Sequence, residues 1–302
     1  MLDTPLATVA TRLRLALLLA TALTLLGRAQ GAAAQTAPTY RDVVYATVDG
    51  KPLALDVYLP AGVTSPPLVV WVHGGAWTSG TKANPPAEFV AHGYALASLD
   101  FRQSTTARFP AQVHDIKAAI RFLRAMRARY GDYRTDRIAI AGSSSGGHLA
   151  ALVGVTNGDA ELEGRVGGSF EQSSSVQAIL DYYGASNLTT ILAQSTPHGL
   201  SVRRPALDRL LGAQPETVPA LAELASPMDH IDRGDPPLFI LHGDQDPQMP
   251  VNQSLELQGA YEKLGLDVEL RIVHGAAHGG AVFFSPAYLE PALAFLRRTI
   301  GR

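Results

Sequence analysis

The sequence predicts an α/β fold in which a mostly parallel, eight-stranded sheet is flanked by helices on both faces. Short apolar and β-branched runs alternate along the 302 residues with stretches of helical spacing. Most of these runs are bounded by Gly, Pro or Asp, which favour turns. Strands that alternate with helices are joined by right-handed crossovers, and such crossovers produce parallel sheets.

The first two strands are predicted to form a hairpin, because the turn signal Asp49-Gly50 separates Val43–Val48 from Leu53–Leu59. The third run, Leu68–Val72, is continuously apolar, as expected of a strand that is buried on both faces. Five more strands of this kind are predicted at Ala95–Leu99, Ile138–Ala141, Val176–Tyr182, Pro237–Leu241 and Val268–Val273.

The clearest helix is predicted to begin at Pro110, a residue suited to a first turn, and to end near Gly131. Its apolar residues recur every three or four positions, which indicates one buried face. The basic residues between them are predicted to point to solvent: Lys117, Arg121, Arg124 and Arg127.

Residues 188–225 break the alternation of strands and helices. The segment carries short apolar clusters, and its composition predicts short helices inserted after the sixth strand. It is either an ordinary excursion of the chain or a small lid over a binding cleft, and we favour the lid. Its prolines are Pro197, Pro205, Pro215 and Pro219.

The first 34 residues resemble a secretory signal peptide. Arg12 and Arg14 precede an apolar run from Leu15 to Leu26, and a small-residue stretch ends at Ala34. We expect cleavage after Ala34, which leaves residues 35–302 as a periplasmic or secreted domain with no membrane span. An uncleaved anchor is the alternative, although the apolar run is short for a bilayer core of about 30 Å.

The composition restricts the choice of partners. No cysteine is present, so an exported domain would depend on core burial rather than on disulfides. The formal net charge is −2, and no basic stripe alternates with aromatic residues. These features argue against a nucleic-acid partner.

The segment Gly142–Gly146 has the pattern G-x-S-x-G, directly after the predicted strand Ile138–Ala141 and before a helical run. This strand–turn–helix setting is the one in which the pattern presents a nucleophilic serine. The turn holds the serine in a strained conformation at a cost of about 1–3 kcal/mol, and the flanking glycines leave room for it. We therefore predict that Ser144 is the nucleophile; a plain Gly/Ser-rich connection is the alternative.

The segment His73–Trp77 follows the third predicted strand, and its paired glycines would let backbone N–H groups point into a cavity. We predict an oxyanion hole formed by the amides of Gly75, Ala76 and Ser145, where each donor contributes about 3–4 kcal/mol. Trp77 and Tyr183 are predicted to contact substrate. The alternative for the first segment is a glycine turn beside a core tryptophan.

The remaining partners of a serine nucleophile are expected in the order acid, then histidine, on later loops. Asp244 and Asp246 compete for the role of acid; we choose Asp246 and interpret Asp244 as a turn-capping residue. His274 and His278 compete for the role of base; we choose His278 and interpret His274 as structural.

A metal site on the two histidines is disfavoured because glycines surround them and no Glu lies between them. Neither a metal nor another cofactor is expected.

In combination these motifs resemble the α/β-hydrolase superfamily, and within it the esterase/lipase group with an HGG oxyanion motif. That group includes hormone-sensitive-lipase-like and BD-FAE-type esterases. The resemblance extends from about Arg41 to Ile300, and it implies an α/β-hydrolase fold. Gly280 stands where the group often has Phe, so the resemblance does not extend to the substrate. The matching segments are His73–Trp77, Asp100–Arg102, Phe109-Pro110, Gly142–His148, Ala225–Pro227, His242–Pro250 and His274–Gly279.

The resemblance implies a serine carboxylesterase that hydrolyses small acyl or aryl esters through an acyl-enzyme. Its substrate would be a small-molecule or polymer-linked ester. A feruloyl or acetyl esterase acting on polysaccharide and an arylformamidase-like hydrolase share this chemistry and stay open. An exopeptidase is disfavoured because no propeller-length domain precedes the motifs. A remote alternative is a non-catalytic binding module with a hydrolase fold.

Overall fold

The computed structural model describes residues 37–301, which contain one sheet of eight strands. The predicted signal peptide and its cleavage site lie outside the described residues. None of the helices between residues 37 and 301 has the length and hydropathy of a membrane-spanning segment. The strands are β1 (Tyr40–Val48), β2 (Lys51–Tyr58), β3 (Pro67–Val72), β4 (Ala95–Leu99), β5 (Arg134–Ser143), β6 (Ala178–Tyr182), β7 (Leu238–Gly243) and β8 (Val268–Val273).

Helices connect the strands. Short 3-10 turns lie at Pro215–Thr217, Pro227–Asp229 and Ala281–Phe284. The α-helices of the described residues are α1 (Glu88–Ala91), α2 (Ala111–Met126), α3 (Ser145–Val155), α4 (Ala160–Glu163), α5 (Ile191–Gln194), α6 (Pro197–Leu211), α7 (Pro219–Leu224), α8 (Asn252–Leu264) and α9 (Pro286–Thr299).

The sheet has the order β1-β2-β4-β3-β5-β6-β7-β8. Strands β1, β2 and β4 pair antiparallel, whereas every pairing from β4 across to β8 is parallel. The predicted hairpin and the mostly parallel sheet with flanking helices are confirmed. Because β5, β7 and β8 run in the same direction, the loops that follow them emerge at one edge of the sheet.

Both faces of the sheet are buried. Along β3, Val70 and Val72 belong to one apolar cluster, while Val69 and Trp71 belong to the other. This alternation is the two-residue period of a strand between two layers of helices. Helices α2 and α3 contribute to the first cluster, and α1 and α9 to the second.

The segment 188–225 contains α5, α6 and α7, and α6 is fifteen residues long rather than short. Hydrogen bonds join the segment to its surroundings: Thr196 Oγ1 donates to the carbonyl of Pro247 at 2.9 Å, and the amide of Phe109 donates to that of Leu210 at 2.9 Å. The lid role of this segment stays a prediction.

The predicted exposure of Lys117 and Arg121 on α2 is wrong, since each side chain is only 1% exposed. Lys117 Nζ donates to the carbonyl of Thr156 at 2.5 Å and lies 3.6 Å from Glu163. Arg121 forms an ion pair with Glu163 and donates to the carbonyl of Val166 at 2.8 Å. Two cations can be buried here because they share the carboxylate of Glu163 and each donates to a carbonyl oxygen, although Arg121 Nε has no partner among the described residues.

Asp181, in β6, is a buried carboxyl beneath the turn that carries Ser144. Its Oδ1 accepts a hydrogen bond from the amide of Gly184 at 2.8 Å, and a Cβ on Gly147 would lie 2.2 Å from this oxygen. Its Oδ2 is buried and has no hydrogen-bond partner among the described residues. Burial raises the pKa of Asp181 to about 7, because the hydrogen bond from Gly184 offsets the lost hydration only in part.

We predict that Glu163→Gln destabilises the fold by roughly 3 kcal/mol, because it leaves Lys117 and Arg121 without their carboxylate. Urea unfolding followed by circular dichroism would measure the change. Glu161→Gln is the matched control, since Glu161 is exposed on the same helix, and it should alter the free energy of unfolding by less than about 0.5 kcal/mol. Equal effects of the two substitutions would contradict the buried cluster.

We predict that the free energy of unfolding of Asp181→Asn increases relative to that of the wild type as the pH rises. Between its ordinary pKa and about 7, folded Asp181 retains a proton that the unfolded chain has lost, so wild-type stability falls by up to about 1.4 kcal/mol per pH unit. Asn has no such proton to lose. Unfolding free energies of both proteins at about pH 5 and about pH 8 would show it; a constant difference would contradict the raised pKa.

Candidate active site

Ser144 lies at a sharp turn between β5 and α3. Its backbone has φ 56° and ψ −122°. This conformation is strained for any residue that has a side chain. Its amide donates to the carbonyl of Tyr182 at 2.8 Å. A Cβ on Gly142 would lie 2.2 Å from the carbonyl oxygen of Gly146, and one on Gly146 would lie 2.1 Å from that of Val72. The turn can therefore form only with glycine at both positions.

The structure brings Ser144, His278 and Asp246 together in a row of hydrogen bonds. His278 Nε2 lies 2.8 Å from Ser144 Oγ, and His278 Nδ1 lies 2.6 Å from Asp246 Oδ2. An ionised carboxylate can only accept, so Nδ1 carries a proton and donates it to Asp246. Nε2 of the neutral ring is then the acceptor that faces the Ser144 hydroxyl, which is the arrangement a general base requires.

Asp246 is held as an anion. Burial alone would raise the pKa of Asp246, but hydrogen bonds to His242 and His278 outweigh it and hold that pKa well below its ordinary value. The second oxygen, Oδ1, accepts from the amides of Gln248 and Met249 at 2.8 and 2.9 Å. The sequence did not reveal His242, whose Nε2 lies 3.5 Å from Asp246 Oδ2.

The competing pair Asp244 and His274 forms a separate contact. His274 Nδ1 lies 2.8 Å from Asp244 Oδ2, and Asp244 Oδ1 accepts from the amide of Gly275 at 2.8 Å. The His274 side chain is 82% exposed. This pair fastens the loop after β7 to the loop after β8, which agrees with a structural interpretation of both residues. Within residues 37–301, no group of three or more His, Asp or Glu side chains is placed to hold a metal ion.

The segment predicted as an oxyanion hole has three consecutive residues with positive φ: Gly75 at 125°, Ala76 at 52° and Trp77 at 59°. A Cβ on Gly75 would lie 2.2 Å from the carbonyl oxygen of Ser79, so only glycine fits there. Ser145 is the first residue of α3, where an N–H group has no partner within the helix. Gly75 and Ala76 line the same pocket as Ser144.

Trp77 lies outside this pocket, so the expectation that it contacts substrate is wrong. It is fully buried, and its Nε1 donates to His148 Nδ1 at 3.0 Å. His148 Nε2 in turn donates to the carbonyl of Ala225 at 2.7 Å. Burial lowers the pKa of His148 to about 4, so the ring is neutral and can both accept and donate. Trp77 thus ties the glycine loop to α3 and to the end of the segment 188–225.

The pocket has a volume of about 320 Å³. Tyr183, which was predicted to contact substrate, lies in the wall of the pocket. Its ring is edge-on to the His278 ring, with the two ring centroids 4.9 Å apart. Arg203 and Gln248 also reach the pocket and were missed from the sequence. The sequence did offer a signal for Arg203, because this basic residue lies one turn before Leu207 on the apolar side of α6. The lining residues are Gly75, Ala76, Thr78, Ser79, Ser143, Ser144, Tyr183, Arg203, Gln248 and His278.

Known proteins are similar to this chain in sequence and in fold. Esterase LipQ of Mycobacterium tuberculosis is 32% identical over 247 residues, which are 78% of this chain and 56% of LipQ. The chain spans about half the length of the curated relatives that it matches. A truncated carbohydrate esterase from gut microbiota matches with a TM-score of 0.78 at 30% identity, covering 89% of this chain and 99% of that one.

A second solved structure, esterase 2 of Thermogutta terrifontis with butyrate bound, matches with a TM-score of 0.70 at 29% identity. The match covers 86% of this chain and 94% of that one. A family model described as BD-FAE matches residues 55–261, well over half of the chain. The chain therefore belongs to the BD-FAE family, and it has the fold of the α/β-hydrolase esterases.

Proposed function

We propose that the protein is a serine carboxylesterase in which Ser144, His278 and Asp246 act as nucleophile, base and acid. The hydrogen-bonded row from Asp246 through His278 to Ser144 carries this proposal, because its distances are those of proton transfer to an imidazole. The esterase names of LipQ and of the two matching structures support it.

In the first half of the reaction His278 removes the proton of Ser144, and Oγ attacks the ester carbonyl carbon. The carbonyl oxygen becomes an oxyanion that accepts hydrogen bonds from the amides of Gly75, Ala76 and Ser145. His278 then gives its proton to the alcohol oxygen as the carbon–oxygen bond breaks. The alcohol departs and the acyl group stays on Ser144.

In the second half, water attacks the acyl-enzyme and gives its proton to His278, which returns it to Ser144 Oγ as the acid is released. Asp246 favours the charged imidazolium in both halves because its own pKa is held low. Tyr183 limits the movement of the His278 ring by edge-on contact.

We propose substrates with small acyl groups, since the pocket has a volume of about 320 Å³ and the Thermogutta esterase was solved with butyrate. An acetyl or feruloyl ester on a polysaccharide is the second candidate, favoured by the match to a carbohydrate esterase. The leader predicted for residues 1–34 supports action in the periplasm or outside the cell. The arylformamidase-like and non-catalytic alternatives are less well supported by the relatives' names.

We predict that Ser144→Ala abolishes hydrolysis of para-nitrophenyl acetate and butyrate while leaving the fold intact. Loss of the nucleophile removes the acyl-enzyme, and the change only deletes one oxygen from a turn that is set by glycines. Release of nitrophenol would measure activity, and thermal unfolding would measure stability. A fluorophosphonate probe should label the wild type and not the variant. Wild-type turnover in the variant would refute the assignment of Ser144.

We predict that Asp246→Asn lowers kcat by about 10⁴, because the amide favours the wrong tautomer of His278. Asp244→Asn is the matched control, since Asp244 makes the equivalent contact to a histidine that is remote from the row of hydrogen bonds. Its kcat should stay within a few-fold of the wild type. A larger loss from Asp244→Asn than from Asp246→Asn would reverse the choice of acid.

A further inference from the structure

Arg203 is a buried cation in the wall of the pocket that contains Ser144. The residue is 1% exposed, and it lies on the same face of α6 as Leu207, one turn further on. Its neighbour Arg204 points the other way, is half exposed and pairs with Glu216. Helix α6 thus directs one of two adjacent arginines into the pocket.

The guanidinium of Arg203 is not satisfied by the described protein groups. Its Nε donates to the carbonyl of Gln248 at a long 3.3 Å, and its carbon lies 5.9 Å from the Trp77 ring centroid. Its Nη1 is buried and has no hydrogen-bond partner within residues 37–301. Arginine carries five N–H donors, so most of its capacity is unused.

The charge of Arg203 also lacks a dedicated counterion. Asp246 is the carboxylate that favours its charged form, but hydrogen bonds from His278, Gln248 and Met249 already occupy both oxygens of Asp246. None of the described residues that line the pocket is acidic. Burial lowers the pKa of Arg203 to about 10, which still leaves it charged at neutral pH.

The helix that carries Arg203 is anchored beside the pocket. Thr196 caps α6 by accepting from the amide of Gly199 at 3.0 Å, and its hydroxyl donates to the carbonyl of Pro247. The helix is therefore attached to the loop that carries Asp246. A buried, unpaired cation is unfavourable by several kcal/mol unless a partner compensates it, and a preorganised one in a pocket is typical of anion recognition.

We propose that the substrate of this esterase carries a carboxylate, which binds the Arg203 guanidinium while Ser144 attacks the ester carbonyl. The inference rests on the proposed function and narrows it from neutral short esters to esters of dicarboxylic acids or of acidic alcohols. Arginine forms paired hydrogen bonds with a carboxylate, so the charged group would also orient the ester in the pocket.

Two pairs of esters of closely similar size test the proposal and separate the two positions of the carboxylate. For an acidic acyl group, monomethyl glutarate is compared with the methyl ester of glutaric monoamide. For an acidic alcohol, para-acetoxybenzoate is compared with para-acetoxybenzamide. Wild type, Arg203→Met, Arg203→Lys and Arg204→Met are assayed in a pH-stat, with Ser144→Ala as the blank.

We expect the wild type to favour the acid of at least one pair over its amide by about tenfold or more in kcat/KM, mainly through KM. Arg203→Met should bring that ratio close to one, and Arg203→Lys should retain part of it. Arg204→Met should keep the wild-type ratio. A preference in the glutarate pair alone places the carboxylate on the acyl side, and one in the benzoate pair alone places it on the alcohol side.

A wild type without preference in either pair would overturn the proposal, as would a preference that survives Arg203→Met. If the amide esters are cleaved in a Ser144-dependent way without charge preference, only the role of Arg203 fails. If neither the two ester pairs nor the nitrophenyl esters are cleaved, the proposed esterase function fails as well as the role of Arg203. Should Arg203→Met not fold, the wild-type ratios and Arg203→Lys still decide.

Discussion

The close approach of two backbone segments, the turn at Ser144 and the end of β3, is the constraint on which the site depends. A Cβ on Gly146 would lie 2.1 Å from the carbonyl oxygen of Val72, and one on Gly74 would lie 2.8 Å from that of Ser143. Any side chain there would push the two segments apart. The amides after β3 would then move away from Ser144 Oγ, and a displacement of about 1 Å is enough to cost a large part of a catalytic rate.

Beneath this contact lies a layer of buried polar groups that includes His148 and Asp181. His148 is neutral, accepts from Trp77 and donates to Ala225, so a single ring joins the glycine loop, α3 and the end of the segment 188–225. Asp181 in β6 accepts from the amide of Gly184 and so holds the loop that follows β6. The anion that the proposed mechanism needs is supplied by Asp246, whose pKa is held low. Positioning and chemistry thus fall to different side chains.

The sequence predicted features that depend on local pattern and missed those that depend on tertiary partners. The strands and the Ser144 turn follow from apolar runs and glycine spacing, so they were readable. Lys117 and Arg121 were placed in solvent because periodicity ranks them as polar, whereas Glu163, more than forty positions along the chain, permits their burial. Trp77 was expected to contact substrate, yet it is fully buried and its indole donates to the distant His148.

Arg203 belongs to the same class of residues, with the difference that none of the described carboxylates lies within ion-pair distance of it. The buried Lys117 and Arg121 have carbonyl and carboxylate partners, and their burial therefore has a structural explanation. Arg203 is as deeply buried, yet it has no such carboxylate among the described residues and it lies in the wall of a pocket. Since α6 is attached to the loop of Asp246, a ligand bound at Arg203 would sit on the element that also holds the acid. Substrate recognition and orientation of His278 would then be linked through Pro247 and Gln248, two residues that follow Asp246 directly.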